Sequence, residues 1–239
     1  MNLRSPSNSF SKALFWAKPG HGNISLAVAV DGGAMSNASL SANLSDEELN
    51  KADLLTDPIE SRHFVFRRCF QRVFLQAILD FAGHPKQIAV AHQQDHRPVC
   101  LNAPHYQLSF SSSAGATLVA ASSECDVGVD IERIRPIENA AALARRFFTN
   151  QEAEIISDLP LPQQSLAFLK SWTAKEAGLK AIGKGIVFGL NTFVRTADDR
   201  IYAVVPERQS DIPTPWALEY IDILPDHMVA VVHRPRKKT

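Results

Sequence analysis

Two acidic residues near the middle of the chain, Asp130 and Glu132, are separated by one apolar residue in the segment VGVDIE. In a β-strand, side chains at positions i and i+2 project from the same face, so both carboxylates would point together. Adjacent like charges repel unless a cation lies between them, and carboxylate oxygens are ligands that Mg²⁺ prefers. A D-x-E pair alone is more often a solvated strand end. The pair therefore predicts a divalent-cation site only if further groups converge on it.

A helical segment about 40 residues later, SWTAKEAGLKAIGKG, carries a second set of chemically competent side chains. Trp172, Glu176 and Lys180 recur at a spacing of four residues and therefore lie along one helix face. One interpretation is an exposed Glu–Lys pair that stabilises the helix by about 0.3–0.5 kcal/mol, with Trp172 in the core. The other makes Glu176 a third metal ligand or a general base and Lys180 a phosphate-binding cation.

The composition is that of an ordinary globular protein and excludes several classes of function. The chain has 239 residues, 45% of them hydrophobic and 21% charged. Its 25 basic and 25 acidic residues give no indication of nucleic-acid or membrane-surface binding. Three widely spaced cysteines form no CxxC pair, which argues against a zinc site or a disulfide framework and favours a cytoplasmic location. No apolar run approaches the roughly 20 residues of a membrane span.

The order of predicted elements indicates an α+β fold. Residues 1–22 are rich in Ser, Pro and Gly and are expected to form a loose leader. Two lobes follow, at residues 23–125 and 126–239, with the ligand site expected between them. Helices are predicted at 45 onwards, 59–81, 138–147, 150–157 and 163–182, and strands near 23–30, 87–91, 116–121, 127–132, 191–196, 200–205, 216–222 and 227–233.

Three motifs in fixed order carry a resemblance to a known family. GVDIE, then RRFFTNQE, then WTAKEAGLKAIGKG resemble the motifs of the phosphopantetheinyl transferases, in particular their larger, monomeric, surfactin-synthetase-type branch. That family carries (V/I)G(V/I)D(I/L)E, RFF followed by an acidic residue, and WxxKEAxxKAxGxG. The resemblance is dense over residues 127–190, thinner over 59–126 and faint at both ends. It implies two similar lobes with pseudo-twofold symmetry, each a small sheet packed on a long helix, with coenzyme A between them.

The resemblance also implies roles for individual residues. Asp130, Glu132 and Glu176 match the family's Mg²⁺ ligands, and Mn²⁺ is an alternative ion. Glu176 also matches the general base, and Lys180 the lysine that contacts the diphosphate of coenzyme A. The other implied coenzyme A-binding residues are Arg62, His63, Arg97, Ser111, Ser112 and Lys175, and the implied carrier-binding residues are Arg145, Phe147 and Phe148.

The N-terminal half departs from the family at its N-x-S-H motif, whose histidine meets the 3′-phosphate of coenzyme A. The aligned segment here is SFSS (109–112), so Ser112 replaces that histidine and offers a hydroxyl without charge. Arg97-Pro98 replaces the usual Lys-Pro and keeps a cation that can bind phosphate through two N–H groups. Arg62 and His63 are either compensating basic groups or solvated helix surface.

The function implied by the resemblance is transfer of the 4′-phosphopantetheine group of coenzyme A to a serine of an acyl or peptidyl carrier protein, with release of 3′,5′-ADP. A monomer is implied as well. Two alternatives stay open. The loss of N-x-S-H suggests a non-catalytic protein that binds coenzyme A or carriers, although the intact carboxylate trio argues against it. The same ligands would also serve a metal-dependent hydrolase that splits the coenzyme A diphosphate with water.

Overall fold

A computed structural model describes residues 13–18, 23–92, 97–185, 189–196, 201–203 and 216–236 of the protein. The strands are β1 (Ala13–Lys18), β2 (Ile24–Val30), β3 (Val90–His92), β4 (Pro98–Cys100), β5 (Gln107–Ser113), β6 (Ala116–Ser122), β7 (Cys125–Arg133), β8 (Phe193–Arg195), β9 (Ile201–Ala203), β10 (Ala217–Tyr220) and β11 (His227–Pro235). The α-helices are α1 (Asn37–Ser41), α2 (Asp46–Asp53), α3 (Pro58–Ile78), α4 (Ala140–Phe147), α5 (Asn150–Ser157) and α6 (Leu161–Ala181). This mixture confirms the predicted α+β class.

Two antiparallel sheets organise the protein. The first has the strand order β1-β2-β6-β5, and the second has the order β10-β11-β7. In the second sheet Asp130 lies opposite Ala230 and Glu132 opposite Met228. Both acidic residues therefore lie on the same face of β7, as their spacing predicts.

The two sheets and the two long helices stack in the order α3, first sheet, second sheet, α6. Alternate residues of β2 and β6 pack either on the aromatic residues of α3 or on the second sheet. Ala230 and Val232 of β11 pack on the α6 side. Because both faces of β2, β6 and β11 are covered, these strands are nearly continuous runs of apolar residues rather than alternating ones.

The helix boundaries follow capping interactions. Ser45 with Glu48 and Thr149 with Glu152 form capping boxes at the starts of α2 and α5. Helix α3 begins after Asp57 with Pro58 in its first turn. It ends at Ile78, earlier than the predicted 81, and Asp80 takes a φ of 48°. That left-handed conformation stops the helix before Gly83.

The N-terminal leader and strand β5 differ from the sequence-based expectations. The leader predicted over residues 1–22 contains β1, which pairs with β2 from Ala13↔Ala29 to Lys18↔Ile24, so this part of it is not loose. Residues 1–12 and 19–22 lie outside the described residues, as do 200 and 204–205 of a predicted strand. Strand β5, which the sequence analysis does not predict, forms because β6 supplies its backbone partners. In the part of the chain that the structure describes, no helix has the length and apolarity to cross a membrane.

Candidate active site between β7 and α6

Gly128 allows helix α6 to lie directly on strand β7. A Cβ at this position would come within 1.9 Å of the Ala177 carbonyl oxygen and 2.4 Å of the Ala181 nitrogen. No larger residue fits without moving the helix. Because Gly128, Asp130 and Glu132 share one face of β7, the helix that covers the glycine passes beside both carboxylates.

Asp130 is the most enclosed acidic group of the site, with 4% of its surface exposed. Its Oδ1 accepts hydrogen bonds from Lys180 Nζ at 2.7 Å and from Ser111 Oγ at 2.6 Å. Its Oδ2 is buried and has no hydrogen-bond partner among the described residues. A buried carboxylate oxygen without a partner is costly, so the fold preserves an acceptor that it does not itself satisfy.

Two further carboxyl groups bring excess negative charge to the same place. Burial raises the pKa of Glu176, and the charges of Asp130 and Glu132 raise it further, against the opposing effect of Lys180. Burial and the charge of Asp130 likewise raise the pKa of Glu132, although Ser113, Arg135 and Lys180 act in the opposite direction. These carboxyls therefore lie within electrostatic reach of one another. Such mutual perturbation is typical of a functional site that binds a cation or moves a proton.

The donor set fits the predicted divalent cation. Asp130, Glu132 and Glu176 offer hard oxygen ligands, and the buried Asp130 Oδ2 is one that the protein leaves unsatisfied. Within the described residues, no group of three or more acidic, histidine or cysteine side chains is already arranged as a metal site. The cation in contact with Asp130 is the Lys180 ammonium, whose side chain is 28% exposed.

Two of the predicted coenzyme A-binding residues, Arg97 and Lys180, line a common cavity of about 250 Å³. Gly183, which follows α6 with a φ of 72°, lies against the Arg97 guanidinium, where a Cβ would come within 2.2 Å of Nη2. Arg97 Nη1 also donates to Gln107 Oε1 at 2.8 Å. The end of α6 and the Arg97 segment therefore bring two cations together, as phosphate binding requires.

His63 and Ser112 line a second, smaller cavity of about 140 Å³, together with Arg67. Arg62 has a different environment, because its Nε and Nη2 donate to the two carboxylate oxygens of Asp31, each at 2.8 Å. The structure therefore brings His63 and Ser112 together and places Arg62 in a bidentate ion pair. Ser111 points instead to Asp130.

Lys175 does not lie where a coenzyme A-binding residue is expected. It is 0% exposed, and its ammonium donates to Glu152 Oε2 at 2.8 Å, to the Leu190 carbonyl at 3.1 Å and to the Phe193 carbonyl. Adjacent helical residues point about 100° apart, so Lys175 cannot share the face of Glu176. We conclude that Lys175 stabilises the interior of the C-terminal half, contrary to its predicted role.

The three predicted carrier-binding residues have different positions. Phe147 lines a cavity of about 410 Å³ between α4 and α6 and contacts Trp172 edge-on, with ring centroids 5.8 Å apart. Arg145 lies on the exposed surface, where it donates to Ser157 Oγ. Phe148 is only 5% exposed and stacks on Phe168 at 5.2 Å, so it belongs to the core and is not available to a partner.

The sequence analysis misses the contact of Ser113 with the acidic site. Ser113 donates to Glu132 Oε2 at 3.3 Å, and its only signal is the alternation of serines in QLSFSSS, which puts every second hydroxyl on one face of a strand. Arg135 lies on the cavity that holds Phe147 and Glu132. Nothing in its local sequence distinguishes it from a solvated arginine.

Comparison with known proteins identifies relatives of this chain. The sequence pattern of the 4′-phosphopantetheinyl transferase superfamily matches residues 126–232, which include β7, α6 and β11. A candidate 4′-phosphopantetheinyl transferase of Synechocystis sp. is 30% identical over 189 residues, which are 77% of this chain and 74% of that protein. The 4′-phosphopantetheinyl transferase HetI of Nostoc sp. is 28% identical over 190 residues, 78% of this chain and 76% of HetI.

A third relative comes from another group of bacteria. The 4′-phosphopantetheinyl transferase Sfp of Bacillus subtilis is 27% identical over 146 residues, which are 60% of this chain and 62% of Sfp. The matches extend beyond the catalytic motifs into the N-terminal half, since they cover more of the chain than the superfamily pattern does. This chain belongs to the 4′-phosphopantetheinyl transferase superfamily.

Proposed function

We propose that the protein transfers the 4′-phosphopantetheine group of coenzyme A to a serine of an apo acyl or peptidyl carrier protein and releases 3′,5′-ADP. The observation that carries this proposal is the meeting of Glu176 and Lys180 of α6 with Asp130 and Glu132 of β7. An acid with a raised pKa and a cation next to a buried acidic pair are the groups that phosphoryl transfer to a hydroxyl needs.

Asp130, Glu132 and Glu176 are the residues that would hold Mg²⁺, with Mn²⁺ as an alternative. The unsatisfied Asp130 Oδ2 and the raised pKa values of Glu132 and Glu176 support this assignment. When bound, the ion would supply positive charge to the diphosphate.

Glu176 acts as the general base in this mechanism. A serine hydroxyl is a weak nucleophile at neutral pH and needs a base close to it. Burial and two neighbouring carboxylates raise the pKa of Glu176, which makes it a better proton acceptor than an exposed glutamate. The serine Oγ forms a bond to the β-phosphorus of coenzyme A while its proton passes to Glu176. The bond from this phosphorus to the bridging oxygen breaks, and the electron pair leaves with 3′,5′-ADP.

Lys180 stabilises the negative charge that develops on the bridging oxygen. Its ammonium contacts Asp130 and also lines the Arg97 cavity, so a small movement would carry it from the carboxylate to a diphosphate. Arg97 supplies a second cation in that cavity, and the cavity of His63, Arg67 and Ser112 is the proposed place of the 3′-phosphate. In this assignment His63 and Arg67 supply the positive charge that the family's histidine would otherwise provide.

The carrier protein docks beside α4 in this proposal. The cavity of Phe147 and Trp172 also reaches Glu132 and Arg135, so it is continuous with the acidic site. Arg146 lies 5.2 Å from the Phe147 ring centroid and adds a positive group to the apolar wall. Carrier proteins are typically acidic around their serine, and a basic rim would attract them.

The proposal extends to the organisation of the chain. Each half contributes one 21-residue helix, Pro58–Ile78 or Leu161–Ala181, that covers the outer face of one sheet. We assign these halves, residues 23–125 and 126–239, as lobes related by pseudo-twofold symmetry, as in the larger, monomeric, surfactin-synthetase-type branch. All three cysteines are free thiols, which agrees with function in a reducing cytoplasm.

A transfer assay tests the proposal. Purified protein, coenzyme A and Mg²⁺ are incubated with a small panel of apo acyl and peptidyl carrier proteins. Mass spectrometry then measures addition of one phosphopantetheine group, and chromatography measures 3′,5′-ADP. We expect one equivalent of 3′,5′-ADP for each modified carrier and no turnover after chelation of the metal.

Two results would contradict the assignment. Release of 3′,5′-ADP at the same rate with and without carrier would identify a hydrolase. Binding of coenzyme A without any product on every carrier of the panel would identify a non-catalytic binding protein. Each carrier also needs its Ser→Ala variant as a control, because the acceptor must be that one hydroxyl.

A further inference from the structure

Three serines alternate along β5 and connect the first sheet to β7 of the second. Ser109 Oγ accepts a hydrogen bond from the Val129 amide at 2.9 Å, and Ser113 Oγ accepts one from the Arg133 amide at 3.1 Å. Strands β5 and β7 belong to different sheets, so these side chains replace a backbone ladder between them. The hydroxyls therefore hold β7 in register with the N-terminal half.

Two of these serines also contact the acidic pair. Ser111 Oγ donates to Asp130 Oδ1 at 2.6 Å, and Ser113 Oγ donates to Glu132 Oε2 at 3.3 Å. The spacing of two residues on β5 thus repeats the spacing of the two carboxylates on β7. Ser109 lies two residues earlier on the same strand face, and its hydrogen bond goes to the backbone of β7.

Ser111 additionally determines the direction of a short hydrogen-bond chain. Its single hydroxyl proton goes to Asp130 Oδ1, so its oxygen is left to accept from Lys180 Nζ at 3.0 Å. Lys180 also donates to Asp130 Oδ1. Both contacts fall on the same carboxylate oxygen, and Oδ2 is the one without a partner among the described residues.

We infer that Ser111 and Ser113 are positioning residues, which orient Asp130 and Glu132 so that their remaining oxygens are directed toward a divalent cation. The inference rests on the proposed function and deepens it. Hydrogen bonds from a second layer of residues fix the rotation of a ligating carboxylate, and their loss typically lowers metal affinity by about 10–100-fold. A carboxylate freed from Ser111 would turn toward Lys180, its other donor.

The test measures binding of Mn²⁺ to the protein without coenzyme A or carrier, by the loss of the free-ion signal in electron paramagnetic resonance. We expect Ser111→Ala to weaken Mn²⁺ binding by about 10–100-fold and Ser113→Ala, with its longer bond, by less. Ser111→Thr keeps the hydroxyl and should recover most of the affinity. Ser109→Ala is the matched control, a buried serine on the same strand face, and should stay within about twofold of the parent protein.

Several outcomes would overturn the inference. Unchanged Mn²⁺ affinity in Ser111→Ala would remove the positioning role, and an equal loss in Ser109→Ala would reduce it to general packing of β5. A parent protein that binds no Mn²⁺ would also contradict it, because the carboxylates would then not be positioned in advance. Thermal unfolding of each variant establishes that it is folded.

The two proposals fail in different ways. Mn²⁺ binding that depends on Ser111, in a protein that modifies no carrier, would contradict the proposed transfer and support the serine inference. If instead the parent protein modifies carriers and its Ser111→Ala variant binds Mn²⁺ normally, the proposed transfer is supported and the serine inference is contradicted.

Discussion

Two lysines of helix α6, Lys175 and Lys180, each form an ion pair with an acidic residue, at 2.8 Å and 2.7 Å. Lys175 is fully buried with Glu152, whereas the side chain of Lys180 is 28% exposed beside Asp130. The two pairs have the same chemistry at nearly the same distance. They differ in what surrounds the carboxylate.

Around Lys175 every strong donor and acceptor is used. Glu152 accepts from Lys175, from the amide and hydroxyl of Thr149, and from the Arg195 amide. This carboxylate therefore joins the start of α5, the C-terminal half of α6 and the end of β8. A buried pair satisfied in this way belongs to the framework of the fold.

Around Lys180 the negative and positive charges do not balance. One ammonium is close to three carboxyl groups, and one oxygen of Asp130 has no partner among the described residues. Uncompensated negative charge raises the free energy of the folded protein, and it is retained here where a cation and a phosphate would bind. Completeness of the hydrogen bonds around the carboxylate, rather than the presence of an ion pair, therefore distinguishes the framework from the site.

The largest effect is expected for Asp130→Asn, which keeps the size of the side chain and removes its charge. Because this carboxylate is both a proposed metal ligand and the partner of Lys180, carrier modification should fall by about 10³-fold. The free energy of unfolding should change by no more than about 1–2 kcal/mol, because the weakened bonds from Lys180 and Ser111 are offset by relief of the repulsion from Glu132 and Glu176. Rates by mass spectrometry and urea denaturation measure the two quantities. If Asp130→Asn unfolded readily yet retained transfer, Asp130 would belong to the framework of the fold and not to the site.

Lys175→Met and Lys180→Met separate the two ion pairs on one helix. Removing Lys175 leaves the buried Glu152 charge uncompensated, so the protein should lose about 3–5 kcal/mol of stability. Removing Lys180 should cost less than this, because Ser111 still donates to the buried Asp130 and solvent reaches the 28% exposed lysine, and it should affect mainly the transfer rate. Urea denaturation of both variants provides the measurement. Equal losses of stability would mean that the two pairs have the same role.

Gly128→Ala tests whether the contact of α6 with β7 positions the site. The added methyl group would overlap the helix backbone at Ala177 and Ala181, and the shift should cost about 1–3 kcal/mol. Transfer should fall further, by about 10²-fold, since Glu176 and Lys180 move with the helix. Gly178→Ala is the control, because its methyl group would meet the Phe193 ring instead. Equal transfer rates in Gly128→Ala and Gly178→Ala would mean that the position of α6 on β7 does not control catalysis.

Much of the active site could be predicted from sequence because it follows local periodicity. The spacing of two on a strand puts Asp130 and Glu132 on one face, and the spacing of four on a helix does the same for Glu176 and Lys180. These four residues lie together in the structure. Helix caps such as Thr149 with Glu152 were predictable for the same reason.

The remaining residues depend on tertiary packing, which short motifs do not encode. Lys175 and Phe148 are themselves motif residues, yet the interior of the C-terminal half encloses both. Strand β5 has few apolar residues, so its pattern gives little strand signal, and its pairing with β6 decides its conformation. The role of Ser113 requires β7 to be next to β5, which no local pattern specifies.

We infer that Glu176 contributes to catalysis at the expense of stability, and the variant Glu176→Gln separates these two effects. In the chelated protein, the raised pKa of Glu176 means that its ionised form destabilises the fold above the folded pKa. The variant should therefore unfold at a higher temperature than the parent at neutral pH, and the difference should vanish as the pH falls below the ordinary value of 4.5. With Mg²⁺, coenzyme A and carrier, its transfer rate should fall by about 10²–10⁴-fold. Near-normal transfer, or a variant less stable than the parent at neutral pH, would contradict the account.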